Sequence, residues 1–194
     1  MSNTGFGLRL VGTTHGGRPR IREYFVPATD ATALFQGDVV KLVNAMDPNN
    51  EVPVVTRAAT GNILLGVLIG FKPLPAQPYT AYRLASTATY VEVCDDVGAI
   101  YEIQEDGVTS RVTAAQIGAM YNIPLNVIAG STVTGLSGTM ATSASATQST
   151  SDLKIVGVRR DVTNPGLVAG TTGAILLVTL QPLAVALNAA ASQS

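Results

Sequence analysis

The chain has one cysteine, one histidine, no tryptophan and little charge: Asp, Glu, Lys and Arg make up 13% of its 194 residues. With only Cys94, an intramolecular disulfide framework and a Cys-x-x-Cys metal site are both excluded. The formal net charge of -1 leaves no excess of Lys and Arg to neutralise phosphates, so no nucleic-acid partner is expected. The longest apolar runs, Ile63–Phe71 and Ala174–Leu180, fall well short of the roughly 20 residues of a bilayer-crossing helix, so no membrane span is expected. The opening MSNTGFGLRL has neither a basic n-region nor a continuous apolar h-region. Synthesis in the cytoplasm, with release rather than export, is the expectation.

What is present is 46% hydrophobic residues, 19 glycines and 10 prolines. An ordinary soluble domain carries about 25% charged residues. The surface here must therefore be rich in Ser, Thr, Ala, Gly and Asn. Such a surface loses little hydration when covered and suits lasting contact with other subunits. A weakly charged monomer satisfies the same composition.

Gly and Pro cut the chain into short segments rich in Val, Ile, Thr and Tyr with period-two alternation, which predicts strands. The candidates are Phe6–Val11, Ile21–Val26, Asp38–Val43, Ile63–Phe71, Ala88–Cys94, Ile100–Gln104, Lys154–Arg159 and Ala174–Gln181. The expected fold is mainly β, a short-stranded antiparallel barrel or sandwich, with residues 1–20 as an extended N-terminal arm and 21–194 as one principal domain. Asp95-Asp96-Val97-Gly98 reads as a hairpin loop, with Gly98 accepting a positive φ. Thr113 with Gln116 forms a capping box that predicts one short helix, Ala114–Tyr121, stopping before Ile123-Pro124. Residues 130–151 are Ser, Thr, Ala and Gly with isolated apolar residues and no charge. They predict a loop, or an extended segment whose backbone pairs with a neighbouring subunit.

Catalysis needs convergent reactive groups, and the sequence offers few. His15 lies in the glycine-rich Gly12–Arg18, where it reads as a loop or arm residue without local carboxylate partners for a metal site. No G-x-S-x-G elbow occurs, and none of Lys41, Lys72 and Lys154 follows a glycine, so a P-loop is absent. Cys94 precedes two carboxylates and no basic group, so it reads as a packed strand residue. Glu92, Asp95, Asp96, Glu102, Glu105 and Asp106 could meet across a hairpin as a calcium site or a glycosidase-like carboxylate pair, or could form a solvated acidic turn. EF-hand spacing is missing, and so is the tryptophan on which sugars usually stack. No cofactor and no metal are expected.

The basic residues are more suggestive. In a strand, residues two apart share a face, so Arg18, Arg20, Arg22 and Tyr24 form one stripe. Arg and Tyr are enriched at binding hot spots. A solvated edge strand whose charges prevent aggregation accounts for the same stripe.

Several segments together resemble the capsid decoration, or cement, proteins of tailed bacteriophages: Glu23–Asp30, Gln36–Leu42, Leu64–Phe71, Val91–Glu105 and Leu153–Arg159, followed by Asp161–Gly166 and the terminal strand. Their order and spacing cover most of the chain. The resemblance implies a non-enzymatic β-rich protein on the outside of an icosahedral virion, bridging major capsid protein subunits against internal genome pressure. It further implies a homo-oligomer, a dimer or trimer, at local symmetry positions, with many modest contacts summing by multivalency. On this reading the N-terminal arm and the stripe Arg18, Arg20, Arg22, Tyr24 are the expected capsid contacts. Another virion component, such as a tail or spike-base element, is the alternative, and a calcium-assisted hydrolase using Glu92–Asp106 is a third.

Overall fold

A computed structural model describes residues 5–73, 81–107, 112–142, 151–160 and 173–181. In chain order the elements are β1 (Arg9–Thr13), β2 (Ile21–Val26), β3 (Leu34–Phe35), β4 (Val39–Met46), β5 (Pro53–Arg57), β6 (Gly66–Phe71), β7 (Tyr82–Arg83), β8 (Thr89–Cys94) and β9 (Ala99–Gln104). They are followed by α1 (Ala114–Gly118), β10 (Asn122–Ile123), β11 (Leu125–Asn126), β12 (Met140–Ala141), β13 (Leu153–Val158) and β14 (Ile175–Leu180). The fold is mainly β: strands β2-β5-β4-β6-β8 close into a barrel, and β1-β9-β14-β13-β10 form an antiparallel sheet.

Each predicted strand is present, with ends shifted by up to three residues at all but β2. The longest strand missing from the prediction, β5, opens on Pro53, a position where proline costs no ladder hydrogen bond. β5 closes the barrel by a parallel bridge, Phe25 opposite Val54. Barrel strands carry apolar residues on both faces. Tyr24, Val40, Val55, Leu68, Val91 and Val93 pack in one core. Their neighbours Val39, Val67 and Cys94 point the other way, into a second core shared with Tyr101, Ile103, Ile155, Leu176 and Val178 of the sheet. Burial on both faces explains why Ile63–Phe71 reads as a continuous apolar run instead of alternating. Each fully buried aliphatic contributes roughly 1.5–3 kcal/mol relative to exposure. The shared core fastens barrel and sheet together.

Expectations for the crossover, the arm and the helix end are corrected. Asp95–Gly98 is not a hairpin: β8 belongs to the barrel and β9 to the sheet, so these four residues are the crossover between them. Gly98 does not take a positive φ. A Cβ there would lie 2.6 Å from the exposed His15 ring, which would have to shift to admit it.

The N-terminal arm does not reach away from the core over residues 8–13, because β1 pairs antiparallel with β9 (Arg9 opposite Glu102) and Leu8 is buried, its N–H donating to the Gly37 carbonyl. Within the Ser/Thr/Ala tract, residues 131–136 form a tight turn, Leu136 bridges Gln36, and β12 pairs with β11. This part of the tract pairs within its own chain. Residues 143–150 lie outside the described residues, as does Asp161–Gly166.

The capping box forms as read, with Thr113 and Gln116 each satisfying the other's backbone N–H. The helix stops earlier than the proline suggested. Ala119 leaves helical geometry and Met120 takes φ 51°, so the chain turns before Pro124 is reached.

Candidate functional site

The β2 stripe is the site toward which the sequence pointed. β2 runs antiparallel to β8 with Ile21 opposite Cys94 and Tyr24 opposite Val91. That register carries the start of β2 past the end of β8, where Asp95 begins the crossover. Asp95 is buried and collects three donors. Arg20 Nε donates to Oδ1 at 2.8 Å, Arg22 Nε to Oδ2 at 2.5 Å, and the Tyr24 hydroxyl to Oδ2 at 2.7 Å. Arg20 Nη2 also donates to the Asp95 carbonyl at 2.8 Å. The guanidinium of Arg22 leans over the Tyr24 ring, 5.9 Å from its centroid.

Burial alone would push the Asp95 carboxyl up. Hydrogen bonds from Tyr24, Arg22 and Arg20 outweigh it and hold the group below the usual carboxylate range. The bond to Asp95 raises the Arg22 guanidinium pKa. Burial, helped by the bond to Asp95, pushes the Tyr24 phenol up to about 12. Asp96 makes a second tie: it accepts from the backbone N–H groups of Arg20 and Gly98, at 3.1 and 2.8 Å, and lies 3.7 Å from His15 Nε2. His15 is an exposed turn residue.

Of the four predicted contact residues, Arg20 and Arg22 meet on Asp95 with their side chains still more than half exposed. Arg18 is exposed, and no described residue forms an ion pair with it. Tyr24 is corrected: it is a barrel-core side chain, only 3% exposed, and cannot itself touch a partner. The sequence marked Asp95 as a turn former. Its role as the anchor of the stripe depends on the β2–β8 register, which no local pattern encodes.

The six acidic residues do not converge. Glu102 pairs with Arg9, while Glu105 accepts the backbone N–H groups of Val112 (3.1 Å) and Ala174 (3.3 Å). Asp106 accepts from Asn126, and Glu92 is exposed opposite Glu23, whose charge is balanced by Lys72. Among the described residues no group of three His, Cys, Asp or Glu side chains could hold a metal ion.

Other buried polar groups are equally committed. Arg83, 2% exposed, donates to the carbonyls of Pro27, Asp30, Thr32 and Thr87. Asp38 accepts from Phe35 N–H and Ser137 Oγ, and Asp152 from Gly61 and Leu125 N–H. The Arg83 arrangement leaves no mark in the sequence, because its partners are backbone atoms. A half-open apolar groove of about 310 Å³ lies where barrel meets sheet, lined by Leu8, Leu10, Gln36, Leu68, Ile69 and Leu136. No convergent titratable pair faces it.

No family model matches the chain, and comparison with curated proteins and with solved structures finds no significant match.

Proposed function

We propose that this chain is a non-enzymatic structural component of a virus particle, binding the outer face of an icosahedral capsid and bridging its major capsid subunits. The observation that carries the reading is how the side chains are used. The buried carboxylates and Arg83 of the described residues are held by partners within the chain, while large aliphatics such as Leu42, Val43, Met46 and Val133 stand exposed. Groups held in this way are not poised to react, and apolar surface in solvent invites a protein partner.

The described segments that carry the resemblance contribute four of the five barrel strands, the crossover and three strands of the sheet. They support a common architecture rather than a common contact. Within this reading Arg18, Arg20 and Arg22 remain the proposed capsid contacts, with Asp95 fixing two of them in place. Rigid arginines lose less freedom on docking, which favours recognition of coat-protein carboxylates.

The test is co-sedimentation of the purified protein with mature, undecorated heads and with unexpanded procapsids. Saturable binding to mature heads at a lattice-defined ratio, with better survival on heating, is the expected result. Binding to neither shell would overturn the capsid reading and favour a tail or spike-base component. Deleting residues 1–17 is not a clean probe of contact, since it removes β1. Arg18→Glu is the sharper variant, expected to lower shell occupancy without lowering the melting temperature.

A further inference from the structure

The β4–β5 hairpin leaves the barrel in two stages. Its base is built in: Val40 and Val55 lie in the barrel core, and Val54 stands opposite Phe25. From Leu42 to Pro53 only Asp47 is buried, and no residue of that stretch belongs to either core. Both strands are also weakened at the boundary. On β4, residues 43–45 stand opposite Val54 alone, a bulge that interrupts the ladder. On β5, Pro53 has no N–H to donate. Such positions at the ends of elements absorb backbone rotation while the parts on either side keep their own structure.

Beyond that boundary, residues 46–53 hold themselves together. The Asp47 N–H donates to the Val52 carbonyl at 2.9 Å and the Asn50 N–H to the Asp47 carbonyl at 3.0 Å. The Asp47 carboxylate accepts from the N–H groups of Glu51 and Val52, at 2.7 and 2.9 Å. Among the described residues, one side-chain hydrogen bond ties this unit to the rest of the barrel: the Tyr90 hydroxyl donates to Asp47 Oδ2 at 2.9 Å. Tyr90 lies on β8 opposite Phe25, their rings 5.0 Å apart, so its hydroxyl reaches Asp47 across β2. Between the unit and β2 lies a groove of about 320 Å³, with Arg22, Glu23 and Tyr24 on one wall and Glu51, Val52 and Pro53 on the other. β2 and β5 part there, since Phe25 opposite Val54 is their one pairing among the described residues.

We propose that residues 46–53 are a flap that turns about the bulge and Pro53, that the Tyr90 hydroxyl latches it shut, and that its opening exposes the Arg22–Tyr24 edge of β2. The bonds that Asp47 makes within the turn travel with the flap. Opening therefore breaks one bond to the barrel and no core contact, which places it among the low-cost local motions of the fold. A partner that reaches Arg22 through the groove meets the flap first. The device holds whatever the chain binds and does not rest on the capsid reading.

Double electron–electron resonance between spin labels on Asn49→Cys in the flap and Ala115→Cys on α1 reads the position of the flap, with native Tyr90 and with Tyr90→Phe. Asn49 and Ala115 are exposed, and the native Cys94 is buried. Y90F deletes one oxygen from a half-buried ring, so its melting temperature should stay within a few degrees of the native value. The expected result is a second, displaced distance whose population rises about tenfold in Y90F, because the lost bond is to a charged acceptor. Labels on Glu92→Cys and Ala115→Cys, both outside the flap, should keep one distance throughout. An unchanged flap distance in Y90F overturns the proposal. So does a Y90F change that broadens both label pairs alike, which is general loosening and not a hinge.

Discussion

Arg83→Met tests the buried guanidinium. Methionine keeps a long apolar stem in the space while removing the donors. Four carbonyls lose partners: Pro27, Asp30 and Thr32 before β3, and Thr87 before β8. Hydrogen bonds from a charged donor contribute about 1.5–3 kcal/mol each in isolation, yet they do not add when they share one donor group. Residues 28, 29 and 31 are exposed, so water can reach part of what is freed. Burial also lowers the Arg83 pKa, only partly opposed by Asp30, so the mutation removes some desolvation cost. The net loss is about 3 kcal/mol. For a chain of this length that corresponds to roughly 6–12 °C in melting temperature. Thermal and urea unfolding measure it, and amide exchange should accelerate first in 27–32 and 83–87. Arg83→Lys keeps the charge but has three donors for four carbonyls, so an intermediate loss is expected. A loss below about 1 kcal/mol in R83M would refute the view that this arginine organises the two loops.

Three further outcomes follow from the same contacts. Asp95→Ala leaves the buried Tyr24 hydroxyl unpaired and is expected to cost about 2 kcal/mol, little of it from the exposed arginines. In the intact protein, absorbance titration should show Tyr24 ionising near 12, and in D95A its midpoint should fall. Asp30, Asp47, Asp95 and Asp96 all titrate below their unfolded value of 3.8, so their stabilisation is present above that pH and is lost as pH falls through the folded values. Asp38 has the opposite sign: burial raises it, so its contribution is present below 3.8 and lost as pH rises through its folded value. Four groups against one give net acid destabilisation below about pH 4, which chemical unfolding at stepped pH should show, and Asp38→Asn should remove the opposing contribution and make the rise of stability with pH steeper just above 3.8. Gly66→Ala should disrupt folding, because its Cβ would lie 2.3 Å from the Cys94 carbonyl oxygen. Gly98→Ala meets only the mobile His15 ring and Thr14 hydroxyl, so a melting shift of a few degrees is expected; equal damage from both would contradict the packing described.

Period-two patterning located the main strands because each buries at least one face in a continuous core. β5 escaped it, being short and opening on proline. The short pairs β3–β7 and β11–β12 escaped too, since two residues carry no period. Connectivity was misread at Asp95–Gly98: an acidic turn between two alternating runs looks alike whether the runs pair with each other or with separate sheets. The shared face of Arg20, Arg22 and Tyr24 was legible from alternation alone. That Tyr24 faces inward was not, because aromatic and arginine side chains alternate identically on an outer and an inner face until the barrel closes.

The crossover also sets a timetable for synthesis. β1 and β2 pair with β9 and β8, and the contacts Arg9–Glu102 and Arg20–Asp95 span 93 and 75 residues. At about 5–20 residues per second, the first two strands leave the ribosome roughly 4–19 s before their partners exist. Through that interval β2, carrying Tyr24, Phe25 and Val26, lacks its antiparallel partner β8. The arginines that later grip Asp95 are then its gatekeepers, positive charges that discourage one nascent chain from pairing with the next.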